Sequence, residues 1–415
     1  MEDAIPLNSP KLEILRQAVE AGNMTAVETF WQDIRQNGAP LVEPIAGDDQ
    51  HSLVTFLWRA TDDTQTIAVV SNLSGKMGAS EPMTRLAPTD LWYKTYRLPS
   101  DTRETYQFAV AGNHVSDPLN PHQHIFPDDA EVGLTGWVSS VLELPDAPPQ
   151  PWSKPRLNTP SGQVTLQRVY SQFLNNEYRV WIYTPPGYNR ESAPYGYLLI
   201  LDGWFYCHLI PTPTILDNLL ADGLLPPLIA IMVGHPWDPT RQRDLACYPP
   251  FVNFVTQELL PWAQGNYPLT KNPTQIGVVG GSRGGLAAAH LALEHPALFG
   301  QVLAQSGAFS WKPEGESEFY WLPRQYAAVS PQLPLRFYLE AGRFETAIKT
   351  DFGGEQDFLA ASRYMRDVLR AKGYEVQYRE FSSGHNPITW QGTLANGLIA
   401  LFGQEGKNVE FFSFQ

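Results

Sequence analysis

The residues with the clearest chemical potential lie in "IGVVGGSRGGLAAAH", Ile276 to His290, where one serine stands among Gly280, Gly281, Gly284 and Gly285. The spelling GxSxG falls between an apolar run and an alanine-rich stretch, which is the strand, turn and helix setting of a nucleophile elbow. A sharp turn there forces the serine into a conformation that L-residues avoid, and side chains at Gly280 and Gly284 would collide with it. The Ser282 hydroxyl is then held at the carboxyl edge of a sheet, over a helix N-terminus that favours developing negative charge. The plainer alternative is a helix packed close to a strand with Ser282 as its N-cap, and that arrangement needs no partners elsewhere in the chain. A nucleophile does.

A serine hydroxyl reacts poorly until a base takes its proton, and behind an elbow of this kind the chain order is serine, acid, histidine. Downstream of Ser282 only His290, His295 and His385 occur. The first two lie within or at the end of the helix leaving the elbow, as packing or surface residues. His385, in "REFSSGHNPITW", follows a strand and precedes an apolar helix, the place for a general base. Glu340, Glu345, Asp351, Glu355 and Asp357 compete as the acid. Glu345, in the turn "AGRFE", is favoured because it follows the strand end closely, whereas Glu355 and Asp357 are expected to open the next helix. Asp351 stays the alternative, and Glu345 as a loop partner of Arg343 is the plain reading.

Acyl transfer also needs donors for an oxyanion, from the backbone after the nucleophile and from the loop after an earlier strand. Arg283 supplies the first N–H, and Trp204 or Gly203, in "LLILDGWFY", the second. Arg241 and Arg243, with Trp204, Trp237, Trp311 and Trp390, are candidates to line a basic, aromatic cleft. Trp204, Trp390, Arg241 and Arg283 lead this group as substrate-binding residues, against the plain alternative of core aromatics and surface ion pairs.

Elements to position these residues can be read on either side of a proline-rich stretch. "PDAPPQPWSKPRLNTP", Pro145 to Pro160, carries six prolines and reads as a linker over 146–160. Ahead of it, residues 1–145 begin with two helical segments, "SPKLEILRQAVEAG" with Ser9 as cap and Gly22 as stop, and "MTAVETFWQDIRQNG". Alternating aromatic and β-branched runs follow ("LVTFLWRA", "TIAVVSNL", "LWYKTYRLP", "TYQFAVAG"), predicting a small all-β, immunoglobulin-like sandwich behind a helical hairpin. In residues 161–415 short apolar runs, mostly ending in glycine, alternate with helical stretches. That rhythm predicts an α/β domain with a largely parallel sheet covered on both faces.

Composition excludes several functions. A net charge of −14 argues against nucleic acid or an anionic membrane as the main partner. No apolar run is long enough for a membrane span, and the N-terminus has no secretory pattern, so a cytoplasmic location is expected. Cys207 and Cys247 are the only cysteines, read as reduced structural thiols, and no cluster has metal-ligand spacing.

These motifs resemble the enterochelin esterases, siderophore hydrolases of the esterase D-like branch of the α/β hydrolases. "FLWRA", "WYKTYRLPSDTRETYQF" and "DPLNP" are similar to that family's N-terminal signatures. "LLILDGWFY", "GGSRGGLAAAHLALEHPALFGQVLAQSGAFSW", "YLEAGRFE" and "GHNPITWQGTL" are similar to its elbow, acid loop and histidine loop. The resemblance implies hydrolysis of a cyclic catecholate tri-ester, a small-molecule substrate, with release of ferric iron in the cell. It implies no resident cofactor, because iron arrives with the substrate. It assigns Ser282 as nucleophile, His385 as base and a carboxylate at the turn of Glu345. Arg283 departs from the family, which often has a bulky aromatic residue after the nucleophile; it either meets an anionic ligand or anchors a nearby acid. Two other functions stay open, an esterase for feruloyl or other acyl esters with Trp58 or Trp92 binding carbohydrate, and an inactive homologue kept for binding.

Overall fold

In the structure, a computed structural model that describes residues 9–61, 66–235 and 239–403, Ser9 accepts a 3.2 Å hydrogen bond from the Leu12 amide. It thereby caps a helix over Pro10–Glu20. A second helix, Thr25–Asn37, stops at Gly38, whose φ of 87° suits glycine. The two share an apolar cluster in which Leu15, Phe30, Trp31 and Ile34 pack with Leu41, Leu57 and Leu91 from the strands that follow.

Those strands form two sheets. One orders Leu41–Ile45, Asp48–Arg59, Leu91–Pro99 and Thr84–Arg85; the other orders Ala79–Pro82, Ile67–Ser71, Arg103–Val110, Trp137–Glu143 and Gln123–Phe126. Aromatic side chains tie the sheets face to face, with Phe56 on Tyr106 at 4.6 Å and Trp58 on Phe108 at 5.3 Å between ring centroids. The chain divides into two units, the first comprising residues 1–128, 135–148 and 382–386, the second residues 129–134, 149–381 and 387–415. The short segment 382–386 therefore counts with the sandwich although it lies far along the chain.

The second unit is built on one eight-stranded sheet. Its strands are β1 (Gln163–Ser171), β2 (Asn176–Thr184), β3 (Gly196–Leu201), β4 (Leu228–Val233), β5 (Ile276–Gly281), β6 (Gln301–Gln305), β7 (Arg336–Gly342) and β8 (Glu375–Phe381). They lie in the order β1-β2-β4-β3-β5-β6-β7-β8. β1 and β2 pair antiparallel and β2 runs antiparallel to β4, while every pairing from β4 onward is parallel. Every residue of β4, β5 and β6 is buried, which is why β4 and β5 read as continuous apolar or glycine runs rather than alternating ones, with Gln301 and Gln305 at the ends of β6. Each large aliphatic side chain so buried contributes about 2 kcal/mol.

Helices cover both faces. α1 (Gly203–His208) and α2 (Thr212–Ala221) follow β3, α3 (Arg283–Glu294) follows β5, α4 (Phe358–Ala371) precedes β8, and α5 (Pro387–Phe402) comes near the chain's end. The stretch Pro249–Asn266 is helical throughout, with a wider π turn over Phe254–Leu259. Residues 149–160 are docked rather than free-standing. The Trp152 indole donates to Asp222 at 2.8 Å, Arg156 pairs with the same carboxylate, and Asn218 donates to the carbonyls of Trp152 and Lys154. Cys207 and Cys247 are free thiols, and burial pushes the thiol pKa of Cys207 up to about 12.

Candidate active site

Ser282 sits between β5 and α3 at φ 56°, ψ −121°, a region that costs a non-glycine residue on the order of 1–3 kcal/mol. The surrounding bonds over-determine it. Its N–H donates to the Gln305 carbonyl at 2.8 Å, and its own carbonyl accepts from Leu286 and Ala308. A Cβ at Gly280 would stand 2.3 Å from the Gly284 carbonyl carbon, so only glycine lets strand and helix meet there. The elbow is therefore fixed by backbone geometry, and α3 points its N-terminus at the serine.

The neighbouring strand ends are also unusual. Asp202, directly after β3, has φ 59°, and Ser306, directly after β6, has φ 50°. Asp202 receives two bonds from Arg241, Nε to Oδ1 at 2.6 Å and Nη2 to Oδ2 at 2.7 Å. Burial alone would raise the Asp202 pKa; the Arg241 guanidinium more than offsets it and holds the carboxyl below its ordinary range. A Cβ at Gly284 would meet Asp202 Oδ2 at 3.3 Å, so this pair lies against the elbow. Gly203 and Trp204 open α1 at the end of β3, and β3 is the strand beside β5.

Glu345 lies three residues past β7 and is fully buried. Its Oε1 accepts from the Ser306 hydroxyl at 2.6 Å, and that hydroxyl accepts from the Trp390 indole at 3.1 Å. Below the elbow, Gln305 binds four groups: its Oε1 accepts from the Tyr206 hydroxyl, and its amide donates to Glu340, Thr393 and the Trp390 carbonyl. Burial pushes the Glu340 pKa up to about 7 against the opposing bonds from Thr393 and Gln305.

Other candidates take different places. Asp351 is exposed and forms an ion pair with the buried Arg283, whose guanidinium also donates to the Gln242 carbonyl at 3.1 Å and lies 5.1 Å from the Phe352 ring. Arg283 thus has an acid within ion-pair reach. Asp357 caps α4 through the Ala360 amide, whereas Glu355 belongs to a small hairpin over Ile348–Thr350 and Gly354–Gln356, ahead of the helix it was expected to start. Arg243 pairs with Asp244, and Trp311 is buried against Trp321. Trp390, expected at the substrate, is only 6% exposed and packs on Phe205. Trp204 is half-buried beside His208, and Trp237 lies outside the described residues. Burial drives the His290 pKa down to about 4, as suits a packing residue.

His385 falls in Ser382–Asn386, the segment joining the end of β8 to the start of α5. The carboxylate of Glu104 meets this segment on both sides of the histidine. Its Oε2 accepts from the Gly384 N–H at 2.6 Å, and its Oε1 accepts from the Asn386 side-chain amide. Sequence reasoning assigned no role to Ser306, Gln305 or Glu104, although each lies within a quoted signature, because the partners each one meets are distant in the chain. Among the described residues no group of three His, Cys, Asp or Glu side chains is placed to hold a metal ion, and no helix is long and apolar enough to cross a membrane.

A sheet in this strand order, with a strained serine between β5 and α3, defines an α/β hydrolase. A family model described as a putative esterase matches residues 171–401, and one described as the N-terminal part of enterochelin esterase matches residues 53–115. The chain is 28% identical to the iron(III) enterobactin esterase of Dickeya dadantii, over 89% of this chain and 92% of that one. It is also 28% identical to the iron(III) enterobactin esterase of Escherichia coli K12, over 86% and 92%. Among solved structures, the enterobactin esterase from Shigella flexneri in the presence of enterobactin aligns with a TM-score of 0.72 at 27% identity, over 90% of this chain and 97% of that one. The ferric enterobactin esterase from Salmonella typhimurium aligns with a TM-score of 0.73 at 26% identity, over 90% and 98%. The chain belongs to the enterochelin esterase family of α/β-hydrolase esterases.

Proposed function

We propose that this esterase hydrolyses the ester bonds of a ferric catecholate siderophore of the enterobactin type, in the cytoplasm, so that the metal is released from the opened ligand. Ser282 is the nucleophile. His385 takes its proton during attack on the ester carbonyl and returns it to the leaving hydroxyl. Glu345 orients the imidazole and stabilises its charged form. The Arg283 N–H, with that of Gly203 or Trp204, binds the oxyanion of each tetrahedral intermediate. Water then repeats the sequence on the acyl-enzyme and frees the carboxylate. Iron is cargo of the substrate, and the protein itself supplies only acid–base, nucleophilic and electrostatic chemistry.

The observation that carries this reading is the backbone of Ser282, strained at φ 56° between β5 and α3, where a Cβ at Gly280 would stand 2.3 Å from Gly284. Such strain persists where exposing a nucleophile is the return for it. The reading as a siderophore esterase draws on the relatives, whose names specify enterobactin, and on their coverage of both units. The test is a panel of esters offered to the purified protein: a ferric catecholate tri-ester, its iron-free form, simple aryl esters and feruloyl sugar esters. Catecholate esters should be turned over with the highest kcat/KM. A preference for feruloyl sugars by a factor of ten or more, about 1.4 kcal/mol in differential transition-state binding, would reassign the substrate.

A further inference from the structure

We propose that Glu104, on the sandwich strand Arg103–Val110, is a positioning residue for His385. The inference rests on the reading of His385 as general base. The geometry is local to one unit, since Ser382–Asn386 belongs with the sandwich. Besides Gly384 and Asn386, Glu104 accepts from its neighbour Thr105 N–H at 2.9 Å and from Asn72 Nδ2 at 3.2 Å. Asn386 also donates to the Thr105 hydroxyl at 2.6 Å, and the Arg103 N–H donates to the Ser382 carbonyl at 3.1 Å. The segment is thus tied at residues 382, 384 and 386, and the histidine stands between two of the ties.

Shape reinforces the bonds. A Cβ at Gly384 would lie 2.3 Å from Cβ of Asn72, so the sandwich presses directly on the backbone beside the histidine. Glu104 is fully buried, and burial pushes its pKa up to about 7 in spite of the N–H groups aimed at it. Such a carboxylate is a poor device for stability, because apolar residues of similar volume commonly do as well in its place. Its return is geometric: acceptors in fixed directions hold a loop that has no regular structure of its own. An imidazole displaced by about 1 Å loses on the order of 100-fold in rate, so fixing this loop has a direct consequence for turnover.

The test uses the full chain, with p-nitrophenyl acetate as probe. A glutamine at 104 offers one acceptor oxygen where the carboxylate offers two. Glu104→Gln should lower kcat by roughly 10- to 100-fold, with KM changed less than about three-fold and the circular dichroism spectrum unchanged. In a His385→Ala background, adding Glu104→Gln should alter the residual rate by less than about two-fold, because the residue acts through the imidazole. A structural role alone would depress both backgrounds equally, and that outcome overturns the proposal, as does a folded Glu104→Gln with wild-type kcat. If Glu104 variants fail to fold, Asn72→Ala is read the same way, expecting a kcat loss that disappears without His385. Ser282→Ala in the same assay separates the layers. An inactive Ser282→Ala beside a fully active Glu104→Gln sinks only this inference, whereas an active Ser282→Ala removes the triad and the inference with it.

Discussion

Ser306 donates its hydroxyl proton to Glu345 across 2.6 Å, and both side chains are buried at the ends of adjacent parallel strands. A carboxylate shut away from water needs such donors. The hydroxyl is itself held by the Trp390 indole at 3.1 Å, so Ser306 has little rotational choice. α5 contributes the indole, β6 leads into the serine and β7 into the glutamate, so three elements converge on one oxygen. In the proposed triad this fixes the acid before it touches the base.

Ser306→Ala should therefore affect both rate and stability. It deprives the Trp390 indole of an acceptor and Glu345 of a donor, each loss in a buried setting costing about 1–3 kcal/mol. Denaturant unfolding should show that loss. Hydrolysis of p-nitrophenyl acetate should show kcat lowered by roughly ten-fold with KM nearly constant. Wild-type kcat in a destabilised Ser306→Ala protein would detach this hydroxyl from the chemistry.

Ser282 sets activity against stability. Its φ of 56° suits glycine better than serine. Ser282→Gly should raise the melting temperature, by relief of on the order of 1 kcal/mol of strain, while turnover falls by about 10⁴- to 10⁶-fold. Ser282→Ala should lose activity equally without the stability gain. A fluorophosphonate probe should label the wild type and neither variant.

The acid assignment separates by comparing two carboxylates. Asp351 is 59% exposed on its side chain and pairs with Arg283, whereas Glu345 is buried with Ser306. An asparagine at 351 keeps a side-chain oxygen for the Arg283 guanidinium, which also donates to the Gln242 carbonyl, so Asp351→Asn should change kcat less than about five-fold. Glu345→Gln should lower it by roughly 10²- to 10⁴-fold. The reverse ranking of the two variants would move the acid to Asp351.

How far the sequence disclosed all this depends on the distance over which each feature is encoded. Gly280, Ser282 and Gly284 spell the turn within five residues, and a Cβ at Gly280 would stand 2.3 Å from Gly284, so the close approach of strand and helix is encoded locally. The central strands of the parallel sheet were legible because both faces are covered and most of their positions are apolar. The pairing of Arg283 with Asp351 and of Ser306 with Glu345 was not, since both depend on where loops return across the sheet. Least legible was the bond from Gly384 to Glu104, which spans 280 residues. Glu104 lies within the signature "WYKTYRLPSDTRETYQF", but nothing in that stretch names a partner so far along the chain. Within the proline-rich stretch Trp152 and Arg156 converge on Asp222, a tertiary contact that composition does not encode.

Glu340 makes a prediction about pH. Burial raises its pKa from the ordinary 4.5 to about 7, and Thr393 and Gln305 both donate to Oε1. Between those values the folded protein holds a proton that the unfolded chain releases, so this group's contribution to stability falls as pH rises from about 4.5 through about 7. Glu104 acts in the same direction over the same window. Glu340→Gln keeps an acceptor oxygen for both donors and cannot ionise. Its melting temperature should exceed that of the wild type by at least about 2 °C at pH 8, with the difference shrinking toward pH 5. A constant difference across that range would mean that Glu340 does not titrate there.

Arg241 distinguishes a clamp from a substrate grip. Its guanidinium engages both oxygens of Asp202, and the two side chains are 23% and 11% exposed. Removing the arginine leaves a mostly buried carboxylate uncompensated next to Gly203 and Trp204, the candidate oxyanion donors, at a cost on the order of 3 kcal/mol. Arg241→Ala should therefore lower the melting temperature and kcat together, leaving KM for a neutral ester within about three-fold. Arg241→Lys keeps the charge without the two-pronged geometry, and should recover part of the stability and less of the rate. If Arg241 instead held an anionic substrate, KM for a ferric catecholate would rise sharply while KM for p-nitrophenyl acetate and the melting temperature stayed put. That pattern would return the residue to the substrate cleft and leave Asp202 to be held by other means.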